Sequence, residues 1–220
     1  MVTLAVLITC HNRKDTTLLC LGRLFSIMKD IDVYCVDDNS TDGTADAIRK
    51  EFPQVNLIHG DGNLFWSRGM RTAWIEAAKN KDYDFYFWLN DDLMLYDDCF
   101  DEMLECSRIM EHKAVIAGLV QETTTKSVIY GGYDKSKHLI PANGELNEVF
   151  RLNGNFVLVS KYVFEKNGFL DPVYHHDLGD VAYGHETHKK GLHVCTTRKY
   201  IGCTDAALQS KNTRIRLNGS

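Results

Sequence analysis

No run of apolar residues in this chain approaches the ~18 needed to cross a membrane. The apolar opening, Met1–Thr9, is too short and lacks a basic leader, which excludes a secretion signal. The seven cysteines (10, 20, 35, 99, 106, 195 and 203) contain no CxxC pair, and their number is odd. Cys10 and Cys35 sit inside apolar runs, where a thiol packs as a small hydrophobe. Both facts favour reduced thiols in a cytoplasmic protein over a disulfide scaffold. A positive excess is missing too: Lys plus Arg total 25 against 30 Asp plus Glu, a net charge of −5. Non-specific nucleic-acid binding is thereby excluded as the main task. No GxGxxG follows the first predicted strand and no GxxxxGK[ST] occurs, which excludes the dinucleotide fingerprint and the P-loop. Internal repeats, low-complexity tracts and linkers are absent as well.

What is present is the balance of a globular domain, 44% apolar and 25% charged over 220 residues. A chain of that size buries a core without staples. Val2–Thr9 is continuously apolar and β-branched, as a strand buried on both faces reads. Leu18, Leu21, Leu24, Phe25 and Met28 recur at helical spacing over Asp15–Met28. Val33–Asp37, Val55–Ile58 and Tyr83–Leu89 are further predicted strands, with helices over Gly43–Phe52 and Ser67–Lys79 between them. This alternation predicts a parallel sheet covered by helices. Beyond it, Asp97–His112 and Gly179–Lys190 read as helices. Val115–Leu119, Val128–Gly131 and Phe156–Ser160 read as strands, and Gly132–Asn155 is loop-rich. The pattern predicts one α/β domain over residues 1–204 with a less regular second half. A polar, basic tail follows over 205–220, either mobile or folded over the site.

Ligands of open α/β sheets bind beyond the carboxyl ends of the strands. Three predicted strand ends carry polar clusters: Thr9–Arg13 (TCHNR), Asp37–Ser40 (DDNS) and Asn90–Asp92 (NDD). Turn and capping residues give the plainer explanation of each; three at one sheet edge indicate a built site. Adjacent carboxylates at 91 and 92 repel unless a cation neutralises them. Mg²⁺ or Mn²⁺ bridging a diphosphate would do so, since such ions take one or two carboxylates plus substrate phosphates.

Val36–Thr44 (VDDNSTDGT), Thr9–Asn12 (TCHN) and Asn90–Asp92 resemble the signature of family 2 glycosyltransferases with the GT-A fold. Gly154-Asn155-Phe156 and Gly168-Phe169-Leu170-Asp171 follow in the usual order, so the resemblance spans about Leu4 to His193. Gly60–Met70 (GDGNLFWSRGM) is most similar to the bacterial rhamnosyltransferase-like branch that builds surface polysaccharides. The resemblance implies a nucleotide-diphospho-sugar donor. Thr9 and Asp38 would face the base, with Asn12, Arg13 and Asn63 beside the donor. Asn90 and Asp91 would lie by the ribose or sugar, and Asp92 would hold the metal. The family usually has Asp where this chain has Asn90.

The resemblance also implies inversion with a general base from an acidic motif before a helix. Within His175–His185, Asp180 is the best match and Asp177 the alternative; a helix cap is the plainer role for Asp180. Gly179 stands where the family has Glu, and His185 or Glu186 where it has Arg. The histidines at 175, 176, 185, 188 and 193 do not form a zinc motif, since HETH is not HExxH. A late metal ligand would fall at His193 or in Cys203–Asp205. Trp66 either stacks on a sugar or base or packs in the core; Arg68 would pair with diphosphate. The aromatic run Tyr83–Trp88 is core strand.

The implied activity is metal-dependent transfer of a sugar to a glycan or lipid-linked acceptor. It would take place in the cytoplasm, at or near the inner face of the plasma membrane. Two rivals stand beside it. A nucleotidyltransferase would carry a Gly-rich basic loop after the first strand, which TCHNRKD lacks. A non-catalytic sugar-nucleotide-binding subunit is compatible with Gly179 and the missing Arg.

Overall fold

The computed structural model describes residues 2–175 and 177–205, so the tail over 206–220 and His176 lie outside the described residues. The chain runs β1 (Leu4–Cys10), α1 (Lys14–Ile27), β2 (Asp32–Asp37), α2 (Thr44–Glu51), β3 (Asn56–His59), α3 (Phe65–Asn80) and β4 (Phe85–Leu89). There follow β5 (Met94–Leu95), α4 (Cys99–Ile109), β6 (Ala114–Glu122), β7 (Val128–Tyr130), β8 (Gly132–Tyr133) and β9 (Arg151–Leu152). The remainder is β10 (Phe156–Ser160), α5 (Lys161–Asn167), α6 (Gly179–Lys189) and β11 (His193–Thr204).

The main sheet has the order β3-β2-β1-β4-β10-β6-β11-β5, with β7 on β6. From β3 to β4 it is parallel, and the β6–β11 pair is parallel as well. Strand β10 is antiparallel to both its neighbours, which makes the sheet mixed but mainly parallel. This is the mainly parallel α/β sheet that the alternating first half predicts, in the GT-A arrangement that the resemblance implies. β11 and α5 were not among the predicted elements. The middle of β11 reads Thr-Thr-Arg-Lys-Tyr, and its pairing with β6 shifts register there, so apolar alternation is broken.

Period two sorts the central strands between two cores. Val6, Ile8 and Cys10 of β1 face one side with Phe87 and Leu89 of β4, against Leu21 and Leu24 of α1. Ala5 and Leu7 face the other with Tyr86 and Trp88, against α3. On that second side Trp74 is fully buried. Its ring lies 5.2–5.8 Å from those of Tyr86, Trp88, Phe164, Phe169 and Tyr183. Tyr183 belongs to α6 and also packs edge-on to Trp88 at 5.2 Å. Aromatic pairs of this kind add about 0.5–1.5 kcal/mol each beyond area burial. They fix α6, and with it Asp180 at its first turn, against the carboxyl end of β4.

Candidate active site

The turns after β1 and β2 are laced to one another. The Asn12 side chain accepts from the Thr41 N–H (2.7 Å), and the Asn12 N–H donates to Ser40 Oγ (2.9 Å). Lys14 N–H donates to Asp42 (3.0 Å) at the entry to α1. Asn12 and Asn39 both take positive φ, 51° and 59°, a conformation that Asn tolerates better than most residues. Thr9, at the end of β1, lies directly under Gly69 of α3, where a Cβ would strike its side chain. The polar clusters at these strand ends are therefore also the joinery of the sheet edge.

Asp38 is buried and its carboxylate is committed to backbone. Oδ1 accepts from Gly62 N–H (2.8 Å), and Oδ2 from Leu64 and Phe65 N–H (both 3.0 Å). The loop between β3 and α3 is thus folded around this one side chain. Gly60 permits it, since a Cβ there would come within 2.5 Å of Asp38 Oδ1. Phe65 begins α3 at φ 53°, a strained value for an aromatic residue. Asn63 is exposed in this loop, its N–H held by Asp61 (2.8 Å).

The carboxylate pair after β4 has its cation within the chain. Arg13 Nη1 lies 3.1 Å from Asp91 Oδ1, and Nη2 lies 2.9 Å from Asp92 Oδ2. Thr17 donates to the other oxygen of Asp91 at 3.0 Å. Burial alone would lower the Arg13 pKa; Asp91 and Asp92 outweigh it and hold the guanidinium above its ordinary value. Asp92 Oδ1, by contrast, is buried with no hydrogen-bond partner. A single unsatisfied carboxylate oxygen beside a sheet edge suits a hard divalent cation whose remaining ligands are phosphate and water. Among the described residues no three His, Cys, Asp or Glu side chains converge as a metal cage of their own.

A cavity of 490 Å³ opens at the carboxyl end of β4, lined by Trp66, Asn90, Arg151, Gly154, Asn155 and Asp180 among others. Trp66 donates from Nε1 to Asn90 Oδ1 (2.8 Å), and Asn90 donates from Nδ2 to Asn155 Oδ1 (2.7 Å). The amide accepts on one side and donates on the other, which an ionised Asp could not do. That accounts for Asn at a position where the resemblance implies Asp. Trp66 is half-buried, packed edge-on to Trp88 at 6.2 Å, so it is both a core contact and a cavity wall.

Asp180 sits in the first turn of α6 and accepts from the Gly154 and Val181 N–H groups, both at 2.7 Å. Burial pushes its carboxyl above the ordinary aspartate range; the two amides and Arg151 pull downward without cancelling it. Gly154 allows the close approach: a Cβ there would lie 2.6 Å from Trp66 Cζ2 and 3.1 Å from Asp180 Cβ. Asp177 also lines the cavity, at its exposed rim, beside Leu178 at φ 68°.

The structure therefore brings together Trp66, Asn90, Asp177 and Asp180 in one cavity. Arg13 after β1 and Asp91 and Asp92 after β4 form a cluster of their own. Thr9, Asn12, Asp38 and Asn63 do not line the cavity, and Arg68 turns away to donate to the Pro172 carbonyl (3.1 Å). Arg151, Asn153 and Asn155 were not singled out individually. Asn155 lay inside the quoted Gly-Asn-Phe motif. Arg151 carried no signal, being on a two-residue strand in a loop-rich stretch. It brings a guanidinium to Asp180 from β9, whereas α6 has His185 and Glu186 where the resemblance implies an Arg.

Fold and site together define a GT-A-type chain with a polar cavity at the switch from parallel to antiparallel strands. The model for glycosyl transferase family 2 matches residues 5–168, more than half the chain, and the chain belongs to that family. Among solved structures it is similar to a mannosyltransferase, PcManGT, from Pyrobaculum calidifontis in complex with GDP-Man and Mn²⁺. That match has a TM-score of 0.67 and 14% identity, over 91% of this chain and 56% of the other. It is similar to GalNAc-T7 with UDP, GalNAc and Mn²⁺ (TM-score 0.71, 14% identity, 93% and 43% covered). It is also similar to S. aureus TarS 1-349 (TM-score 0.67, 12% identity, 92% and 60% covered). At such identities these structures establish shared fold alone, and the chain spans about half the length of each. No curated protein matches the sequence. No helix among the described residues is long and apolar enough to cross a membrane.

Proposed function

We propose that this chain transfers a glycosyl group, with inversion, from a nucleotide-diphospho-sugar to a hydroxyl of a glycan or lipid-linked acceptor. The observation that carries the reading is Asp180: a carboxyl raised by burial, at a helix start, in a cavity at the strand ends. An acceptor O–H placed there attacks the anomeric carbon. The bond from that carbon to the diphosphate oxygen breaks, and the proton passes to Asp180. The nucleoside diphosphate departs with the electron pair. Asp180 is the base in this reading, held in the cavity wall by two backbone amides, with Asp177 at the exposed rim as the alternative.

The chain's other groups orient the reactants. Asn153 lines the cavity with a buried side-chain oxygen that has no hydrogen-bond partner, an acceptor for a sugar hydroxyl. Trp66 offers a flat wall for stacking, and its hydrogen bond to Asn90 holds it in place. Asp92 would hold Mg²⁺ or Mn²⁺, which supplies charge stabilisation to the departing diphosphate. Two of the similar solved structures are complexes with Mn²⁺, which supports the choice. Placement among rhamnosyltransferase-like enzymes of bacterial surface polysaccharide synthesis rests on Gly60–Met70 and is part of the same proposal. So are the cytoplasmic setting and peripheral association with the membrane.

A thermal-shift screen of UDP-, GDP- and dTDP-sugars with Mn²⁺ tests the donor, followed by calorimetry on Asp92→Ala. The expected result is stabilisation by one donor class, with its Mn²⁺-dependent affinity lost in the variant. Absence of binding by every nucleotide sugar would overturn the reading; full transfer by Asp180→Asn would remove Asp180 as the base and leave Asp177.

A further inference from the structure

A second cavity, of 620 Å³, lies beyond the first and is lined by Asp134, Lys135, Ser136, Glu148, Phe150 and His188 among others. Two segments carry residues of both cavities. Phe150 lines this cavity and the next residue, Arg151, lines the other. Helix α6 carries Asp180 at one end and His188 at the other, about 12 Å apart at ~1.5 Å per residue.

Phe150 is the unusual member. Its side of the chain is held, since its N–H donates to the Tyr133 carbonyl (2.9 Å) and Leu152, two residues on, is fully buried. Yet Phe150 is 50% exposed. Its ring lies 5.3 Å from that of His185 and 6.5 Å from that of His188, the latter nearly parallel at 15°. His188 is fixed in turn by Nε2, 2.9 Å from the Val149 carbonyl. Single exposed apolar residues are ordinary on protein surfaces. This one differs in being a rigid ring at the side of a cavity whose rim is polar in both senses. Asp134 and Glu148 supply acceptors, and Lys135 and Ser136 supply donors. The carboxylates are themselves oriented, Asp134 by the His138 N–H (2.8 Å) and Glu148 by His193 Nδ1 (2.8 Å).

A flat apolar ring bordered by donors and acceptors matches one ligand chemistry well. A pyranose has an apolar C–H face and a rim of hydroxyls that both donate and accept. The geometry points to a glycan-binding subsite at Phe150 and His188, which receives sugar units of an oligosaccharide acceptor whose terminal hydroxyl reaches Asp180. This rests on the glycosyl-transfer reading above and adds that the acceptor is a chain of sugars, not a single one.

The test is saturation-transfer NMR with methyl glycosides of a hexose, a 6-deoxyhexose and an N-acetylhexosamine, and with trisaccharides of each. Wild type is expected to bind at least one trisaccharide at least tenfold more tightly than its monosaccharide. Phe150→Ala and Glu148→Gln are each expected to weaken that binding at least tenfold. Donor binding and slow donor hydrolysis by water are expected to stay unchanged in both, which also reports that they fold. Equal trisaccharide binding by wild type and Phe150→Ala would overturn the subsite. So would the absence of binding by every glycan in a protein that still hydrolyses donor. Failure to bind or hydrolyse any nucleotide sugar would instead strike the glycosyl-transfer reading itself.

Discussion

Arg13 reaches across from the end of β1 to Asp92 at the end of β4, Nη2 to Oδ2 at 2.9 Å, leaving Oδ1 of the same carboxylate buried and unpartnered. One side chain thus neutralises the pair that a divalent cation would otherwise have to neutralise alone. Arg13 also bridges to Asp91, so the two strand ends are tied through three charges that are all largely withdrawn from water.

Removing that guanidinium leaves two adjacent buried carboxylates without their cation. Arg13→Gln is expected to cost on the order of 3 kcal/mol, as broken buried pairs do. Mn²⁺ should restore part of the loss, because the ion can occupy the vacated charge position. Chemical denaturation with and without Mn²⁺ checks both halves; an unchanged midpoint in the metal-free variant would refute the first.

Asn90 is held by Trp66 on one side and Asn155 on the other. Asn90→Asp removes the donor facing Asn155 Oδ1 and sets a negative charge against it. The expected loss is about 1–3 kcal/mol at neutral pH. It should shrink in acid, where a protonated carboxyl donates again. Urea titrations at pH 7 and pH 4 that give the same difference from wild type would count against this account.

Much of this was legible in the sequence, and what was not has a physical cause. Strands β1 and β4 declared themselves because both faces are buried, and the three polar clusters do fall at strand ends. The partners of those clusters were not legible. TCHNR and NDD each read as ligand-facing clusters, but no pattern in the sequence shows that Arg13 also pairs with Asp91 and, across 79 positions, with Asp92. Asp38 lay in the most specific motif, yet sequence alone could not reveal that three backbone amides converge on it. β11 and Arg151 escaped because one strand is broken by polar residues and the other is two residues long.

Asp38 organises the β3–α3 loop through three N–H acceptor contacts, so its loss should loosen that loop before anything else. Asp38→Ala is expected to speed hydrogen exchange at the Gly62, Leu64 and Phe65 amides by at least tenfold. Amides in the centre of β1 should exchange at nearly the wild-type rate. Uniform acceleration through the sheet would mean that Asp38 serves the core and not the loop.

Gly154 carries no side chain because Trp66 and Asp180 occupy the space. Gly154→Ala must push the Trp66 ring or the Asp180 backbone aside, with a cost of about 1–3 kcal/mol for overpacking. The Gly154 N–H to Asp180 bond is then strained as well. Transfer should fall more than donor affinity does. A variant with wild-type kcat would show that the tight approach is dispensable.

The last expectation concerns pH. Burial raises the Asp180 carboxyl, and its ionised form is the base. Transfer should therefore decline as pH falls through a value above the ordinary aspartate range, and Asp180→Asn should abolish that limb along with most of the rate. The stability effect has the opposite sense. A carboxyl whose folded pKa exceeds its unfolded one binds protons more readily in the folded state, so it costs stability as pH rises from the unfolded value through the folded one. The melting point of Asp180→Asn relative to wild type should then be higher at pH 7 than in acid, whatever the variant loses with one acceptor oxygen. The two trends have one cause, the withdrawal of a single carboxylate from water, and paired melting and rate profiles measure them on the same samples. A melting difference that is the same at pH 7 and in acid, together with an acid limb of transfer that survives in Asp180→Asn, would leave the base to be sought at Asp177.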